Sequence, residues 1–182
     1  QGSNVEVIAI DGNFDDAQNG VKSIFSSEDA RRAVDAQGKF FSSANSINWG
    51  RLVPQIVYYV SAYCDLVSEG EIKLGDEIDV TVPTGNFGNI LAAYYAKQMG
   101  LPVGKLIVAS NTNKVLTDFI ETGTYDRRRD FVKTISPSMD ILISSNLERL
   151  LFEVADREGE LIAQWMKLLK ECGSYAVGEQ RL

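Results

Sequence analysis

The stretch Asp79-Val80-Thr81-Val82-Pro83-Thr84-Gly85-Asn86-Phe87-Gly88-Asn89, running on into Ile90-Leu91-Ala92-Ala93-Tyr94-Tyr95-Ala96, decides the fold. Its β-branched beginning reads as a buried strand, its centre as a glycine-rich turn and its apolar end as a helix. Gly85 and Gly88 carry no Cβ, so the backbone can approach a ligand closely and take positive φ. The helix that follows leaves its first amide N–H groups without intrahelical acceptors, and the positive end of its dipole faces the turn. A phosphate satisfies those donors. A tight connection that holds no ligand is the other reading, and the residues of the turn alone leave both open.

On either side of this stretch the segments alternate between strand and helix. Asn4 to Ile10 reads as a buried strand, broken by Asp11-Gly12-Asn13. A helix follows, capped by Asn13 or Asp15, with Val21, Ile24 and Phe25 on its inward face. Ser27 caps a second helix that Gly38 terminates, and Lys39 to Ser43 reads as a short strand or extended segment. The loop Ala44 to Arg51 leads into a helix over Leu52 to Val67 with Pro54 near its start, where a missing N–H matters little. Tyr58, Tyr59 and Tyr63 read as packing aromatics. Beyond the glycine turn the helix ends at Gly100 and Pro102. Leu106 to Ala109 is a short apolar strand, and Asn111-Thr112-Asn113 is placed to cap a helix from Lys114 to about Ile120. A polar stretch from Glu121 to Met139 precedes Asp140 to Asn146, a helix from Leu147, and an amphipathic helix from about Glu160 to Glu171, with Trp165 and Met166 read as core. Buried strands alternating with helices predict an α/β fold, a parallel sheet flanked by helices in three layers. Ligands on such sheets sit beyond the carboxyl ends of the strands, where the glycine turn lies.

Composition narrows the function. The chain has 182 residues and a net charge of −7, which argues against binding nucleic acid. The basic run Arg127-Arg128-Arg129 is flanked by acidic residues and reads as a solvated segment. Histidine is absent, which removes histidine triads, most catalytic metal sites and the commonest general base. Cys64 and Cys172 are far apart, so neither a disulfide framework nor a structural zinc site is expected. No metal is expected. No apolar run is long enough to span a membrane and no signal-peptide pattern is present, so the expected location is the cytoplasm, without membrane association.

Three segments carry a family resemblance: SSANSINWGRLVPQ (Ser42 to Gln55), DVTVPTGNFGNILAAYYAKQMGLP (Asp79 to Pro102) and SPSMDILISSNLERLLFE (Ser136 to Glu153). Together they resemble threonine synthase, a pyridoxal-phosphate enzyme of the tryptophan-synthase-β-like fold type II, and IDGNFDDAQ (Ile10 to Gln18) fits the same family. The resemblance implies a lyase of amino-acid biosynthesis that converts O-phospho-L-homoserine and water to L-threonine and phosphate, with pyridoxal phosphate as electron sink. It implies that Gly85, Asn86, Phe87, Gly88 and Asn89 cradle the cofactor phosphate through backbone N–H groups. It also makes Ser46, Asn48 and Arg51 candidates for substrate contacts, Arg51 because its planar fork matches an oxyanion.

The departures from the family pattern set further expectations. The family's Schiff-base lysine sits in a Phe-Lys-Asp segment that has no counterpart here, and Lys39, after the first strand–helix unit, is out of order. It reads as a solvated lysine. The polar residue that would meet the pyridine nitrogen has no counterpart either. The resemblance therefore implies a central fragment, with no catalytic residue of its own and no activity by itself. Residues 1–38 would belong to the smaller, mobile lobe and residues 39–182 to the larger, cofactor-binding lobe. Sheet edges and apolar surface left open would favour self-association. A non-catalytic α/β module that binds some other phosphate compound is the alternative.

Overall fold

The computed structural model describes residues 2–12 and 14–178. Two compact units divide between Ser42 and Ser43. In the first, helices α1 (Phe14–Ser26) and α2 (Glu28–Asp35) follow an irregular segment. Ser27 caps α2 as expected, its Oγ accepting the Ala30 N–H at 3.2 Å. Of the two candidate caps for α1, Asn13 and the side chain of Asp15 lie outside the described residues.

The expected strand over Asn4 to Ile10 is not formed. A β-branched run favours an extended backbone, but a strand needs a neighbour to take its N–H and C=O groups. No strand of the described residues pairs with this run, and Val7 and Ile8 stay exposed. The inward face expected of α1 is only partly realised. Phe25 stacks on Phe41 at 5.1 Å between ring centroids, whereas Val21 and Ile24 remain exposed.

The second unit holds the sheet. Strand β1 (Ile78–Pro83) runs parallel to β2 (Val103–Ala109), with Val82 opposite Val108 and Pro83 opposite Ala109. Helix α5 (Gly88–Gln98) forms the crossover. It is apolar nearly all round and correspondingly buried, with Ile90, Leu91, Ala92, Ala93 and Ala96 inside. The helix expected over Leu52 to Val67 forms in three pieces: α3 (Trp49–Leu52), a 3₁₀ turn (Val53–Gln55) and α4 (Ile56–Ser68). Pro54 sits inside the 3₁₀ turn, where its missing donor changes the pattern of bonds instead of leaving a gap.

Helix α6 (Val115–Thr122) buries Val115, Leu116 and Phe119 and stops at Gly123, whose φ is +68°. Its expected asparagine cap is absent. The Asn111 and Asn113 side chains instead donate to Asp140 Oδ1 at 2.7 and 3.1 Å, because a buried carboxylate without donors is costly. Strand β3 (Thr124–Asp126) pairs antiparallel with β4 (Ser174–Ala176), which follows helices α7 (Leu147–Val154) and α8 (Gly159–Cys172). Tyr125 stacks on Tyr175 with centroids 5.5 Å apart, Phe119 meets both edge-on and Trp165 stacks on Tyr175. This aromatic cluster joins the core around Leu91, Leu116 and Leu151 and closes the C-terminal part of the chain onto the parallel strands. The arginine run is paired, as a solvated segment can be. Arg128 forks onto Asp126, and Arg129 reaches Asp118 at 2.6 Å.

Candidate anion-binding site

Residues Thr84–Phe87 turn the chain from the carboxyl end of β1 into α5. Thr84 is held by its own backbone and side chain: its N–H donates to Ala109 O at 2.8 Å and its hydroxyl to Val82 O at 2.7 Å. Positive φ was expected at Gly85 and Gly88, but the left-handed residue of the turn is Phe87, at φ 62° and ψ 6°. The glycines serve space instead. A Cβ on Gly88 would overlap the Ser46 side chain, and one on Gly85 would lie 3.4 Å from Ser138 O.

The first helical bond formed from the turn runs from the Leu91 N–H to Phe87 O, at 3.2 Å. The N–H groups of Gly88, Asn89 and Ile90 therefore have no acceptor within the helix. The same three residues line a cavity of about 290 Å³, together with Asn45, Ser46, Gln55, the run from Val82 to Phe87, and Met139. No Asp, Glu, Lys or Arg is among those residues, so no carboxylate there repels an anion and its binding would rest on amides and the helix dipole. Asn86 Oδ1 is buried beside the cavity with no hydrogen-bond partner, an acceptor that a ligand hydrogen would satisfy. Among the described residues no cluster of His, Cys, Asp and Glu could hold a metal ion.

Asn89 is fixed from α4 and the turn before it. Its Nδ2 donates to Gln55 Oε1 at 3.0 Å, and the Tyr59 hydroxyl lies 2.6 Å from Asn89 Oδ1 and 3.1 Å from its carbonyl oxygen. Burial pushes the Tyr59 hydroxyl up to about 12, so it stays a proton donor at neutral pH. Tyr59, read from the sequence as packing, is thus also a polar support of the turn.

Of the three residues read as substrate contacts, Ser46 lines the cavity. Its Oγ accepts from Asn146 Nδ2 at 3.0 Å. Asn48 does not line it: its Oδ1 caps α3 through the Gly50 N–H and its Nδ2 donates to Ser43 O. Arg51 is exposed, also outside the lining.

The sequence reading missed Ser144, Asn146 and Arg149. Ser144 Oγ donates to Gly85 O at 2.9 Å. Asn146, fully buried, donates to Asn86 O from its backbone N–H at 3.1 Å and from Nδ2 at 2.8 Å. Arg149 donates to Asn146 Oδ1 at 2.6 Å and to the carbonyls of Ser46 and Ile47, with its guanidinium 5.7 Å over the Trp49 ring. The partners of Asn146 lie far away in the chain, so no local pattern marks its role, and its side chain makes no cap bond to α7.

The chain is similar to known proteins along most of its length. The human protein "Threonine synthase-like 1" is 52% identical over 172 residues, 93% of this chain and 23% of that protein. The threonine synthase of Pseudomonas aeruginosa is 42% identical over 180 residues, 99% of this chain and 36% of that enzyme. The crystal structure of pyridoxal-phosphate-bound threonine synthase from Brucella melitensis matches with a TM-score of 0.78 at 44% identity, over 98% of this chain and 36% of that one. The chain thus spans between 23% and 36% of the length of these relatives. No family model matches it. The shared α/β fold is a parallel sheet with flanking helices.

Proposed function

We propose, for a chain homologous to the threonine synthases along nearly its whole length, that Gly85, Asn86, Phe87, Gly88 and Asn89 form the cup for the phosphate of pyridoxal phosphate. The enzyme in which they act converts O-phospho-L-homoserine and water to L-threonine and phosphate. The observation that carries the reading is the set of amide donors at the start of α5, on residues that line a cavity without carboxylates beyond the parallel strands. When bound, the cofactor supplies an electron sink for carbanion chemistry. The chain's own part is to bind and orient. The backbone donors hold the phosphate, the helix dipole favours its charge, and Gln55 and Tyr59 keep Asn89 in place at the helix start. Ser46 is the candidate substrate contact whose position supports that role. Arg51 supports it by chemistry, as an exposed guanidinium three residues beyond Asn48.

No lysine lines the cavity and no Phe-Lys-Asp occurs among the 182 residues. In this reading the chain by itself holds the phosphate end of the cofactor without its covalent anchor and is inactive. Residues 1–38 come from the smaller lobe and residues 39–182 from the larger. The same lack of a lysine favours a second reading, a phosphate-binding module without the cofactor. Titration calorimetry with inorganic phosphate and with pyridoxal phosphate separates the two. The cofactor cup binds both, in competition, and Gly85→Val loses both. Binding of phosphate alone supports the module, and equal affinity in the two proteins makes the turn a mere connection. Borohydride reduction after incubation with pyridoxal phosphate checks the missing anchor: no single lysine is labelled, and selective labelling of one lysine refutes it.

A further inference from the structure

We infer that Ser144 and Asn146, held from behind by Arg149, orient the peptide groups of the glycine turn and so build its anion cup; the inference rests on the phosphate reading above. A planar trans peptide places its C=O and N–H on opposite sides, and the described chain has no cis peptide. The Gly85 carbonyl accepts from Ser144 Oγ, and the next carbonyl, that of Asn86, accepts from the Asn146 N–H and Nδ2. Two successive carbonyls are therefore drawn to one short segment. Their partner N–H groups, those of Asn86 and Phe87, turn to the other side. There they join the N–H groups of Gly88, Asn89 and Ile90 in a run of donors of the kind that makes an anion-binding concavity.

Hydrogen-bond capacity leaves Asn146 one orientation. Arg149 can only donate, so the atom of Asn146 facing it at 2.6 Å must be Oδ1. Nδ2 is thereby turned to Asn86 O and Ser46 Oγ, and the backbone N–H completes the grip. Every polar group of the side chain is spent, at full burial, on holding the turn and the Ser46 wall of the cavity. Arg149 fixes that wall a second time through the carbonyls of Ser46 and Ile47. Ser144, Asn146 and Arg149 are positioning residues: none of them lines the cavity.

The test uses the ¹⁵N-labelled chain and inorganic phosphate. In the wild type, phosphate shifts the amide resonances of Asn86, Phe87, Gly88 and Asn89. Asn146→Asp keeps the bond to Arg149 but sets a carboxylate oxygen against the Asn86 carbonyl. It is expected to bind phosphate about tenfold more weakly, the cost of one misdirected amide, with the Phe87 response lost and those of Gly88 and Asn89 kept. Ser144→Ala releases the Gly85 carbonyl and is expected to lose the Asn86 response in the same selective way; it carries the test if Asn146→Asp fails to fold. A loss shared equally by all four amides marks a merely structural role and overturns the inference. Wild-type affinity with the Phe87 response intact in Asn146→Asp overturns it too, while leaving the phosphate reading standing. A wild-type chain whose amides ignore phosphate refutes that reading, and the inference falls with it.

Discussion

Phe87 adopts a left-handed backbone that disfavours any side chain with a Cβ, at a cost of about 1–2 kcal/mol. Burial of its ring in the core offsets that cost, and the helix start is thereby held to one geometry. Gly88 works differently, through the space its missing Cβ leaves for the Ser46 side chain. Gly88→Ala is expected to destabilise by about 1–3 kcal/mol, the usual penalty of overpacking. Ser46→Gly should recover part of that loss in the double variant. A double-mutant cycle from urea unfolding measures the coupling, and strict additivity would show that the two residues do not compete for one space. Asp140 contributes to the response to acid. Burial works to raise its carboxyl, but hydrogen bonds from the Thr134 N–H and hydroxyl, Asn111 and Asn113 outweigh this and hold it below the ordinary carboxylate range. A carboxyl lowered by folding contributes stability that is complete above its unfolded value, near 4, and is lost as pH falls through its folded value. The thermal midpoint should be level at mildly acidic pH and fall below about pH 4. Asp118 and Asp126 are lowered as well, mainly by their arginine partners, so Asp140→Asn should flatten that fall without abolishing it. It should also lower the midpoint at neutral pH. Melting curves recorded from neutral to acid pH decide this, and an unchanged acid slope in Asp140→Asn removes Asp140 from the account.

Helix α4 reaches the site through Tyr59, and this contact can be tested by itself. Tyr59→Phe removes the hydroxyl that meets Asn89 Oδ1 at 2.6 Å and is expected to cost about 1 kcal/mol, measured by chemical denaturation. Because burial holds the Tyr59 hydroxyl near 12, phosphate affinity in the wild type should show no step between pH 8 and pH 10 from its ionisation. A step that Tyr59→Phe abolishes would contradict that. The elements legible in the sequence were those whose signal is local. The strand–turn–helix around Gly85, the cap at Ser27 and helices α7 and α8 each carry periodicity or capping chemistry within a dozen residues. What escaped depends on partners distant in the chain. Strands β3 and β4 are three residues each and exist because Tyr125 and Tyr175 stack across them. The grip of Asn146 on Asn86 spans 60 positions, and no local pattern marks it. The run from Asn4 to Ile10 fails in the opposite sense, with a strong local signal and no pairing neighbour among the described residues.

At the scale of the whole molecule, the larger unit leaves much apolar surface uncovered. Along α4 and the turn before it, Val53, Val57 and Val60 recur at helical spacing with exposures of 38%, 63% and 42%, and Tyr58 beside them is 59% exposed. Isolated exposed hydrophobics are normal, but a stripe at i, i+4 and i+7 is the pattern of a face that packs against something. The parallel sheet adds a second reason. Its two strands pair only with each other among the described residues, so each offers an outer edge of backbone donors and acceptors. Relatives that match this chain over less than two fifths of their length have further residues with which such surfaces can be covered. The chain alone is therefore expected to self-associate as its concentration rises. Light scattering coupled to size exclusion checks this, with Val57→Lys as the probe of the α4 face. A shift toward monomer in Val57→Lys assigns the contact to α4, and association that ignores the substitution assigns it to the sheet edges. A monomer mass at every concentration refutes the expectation outright.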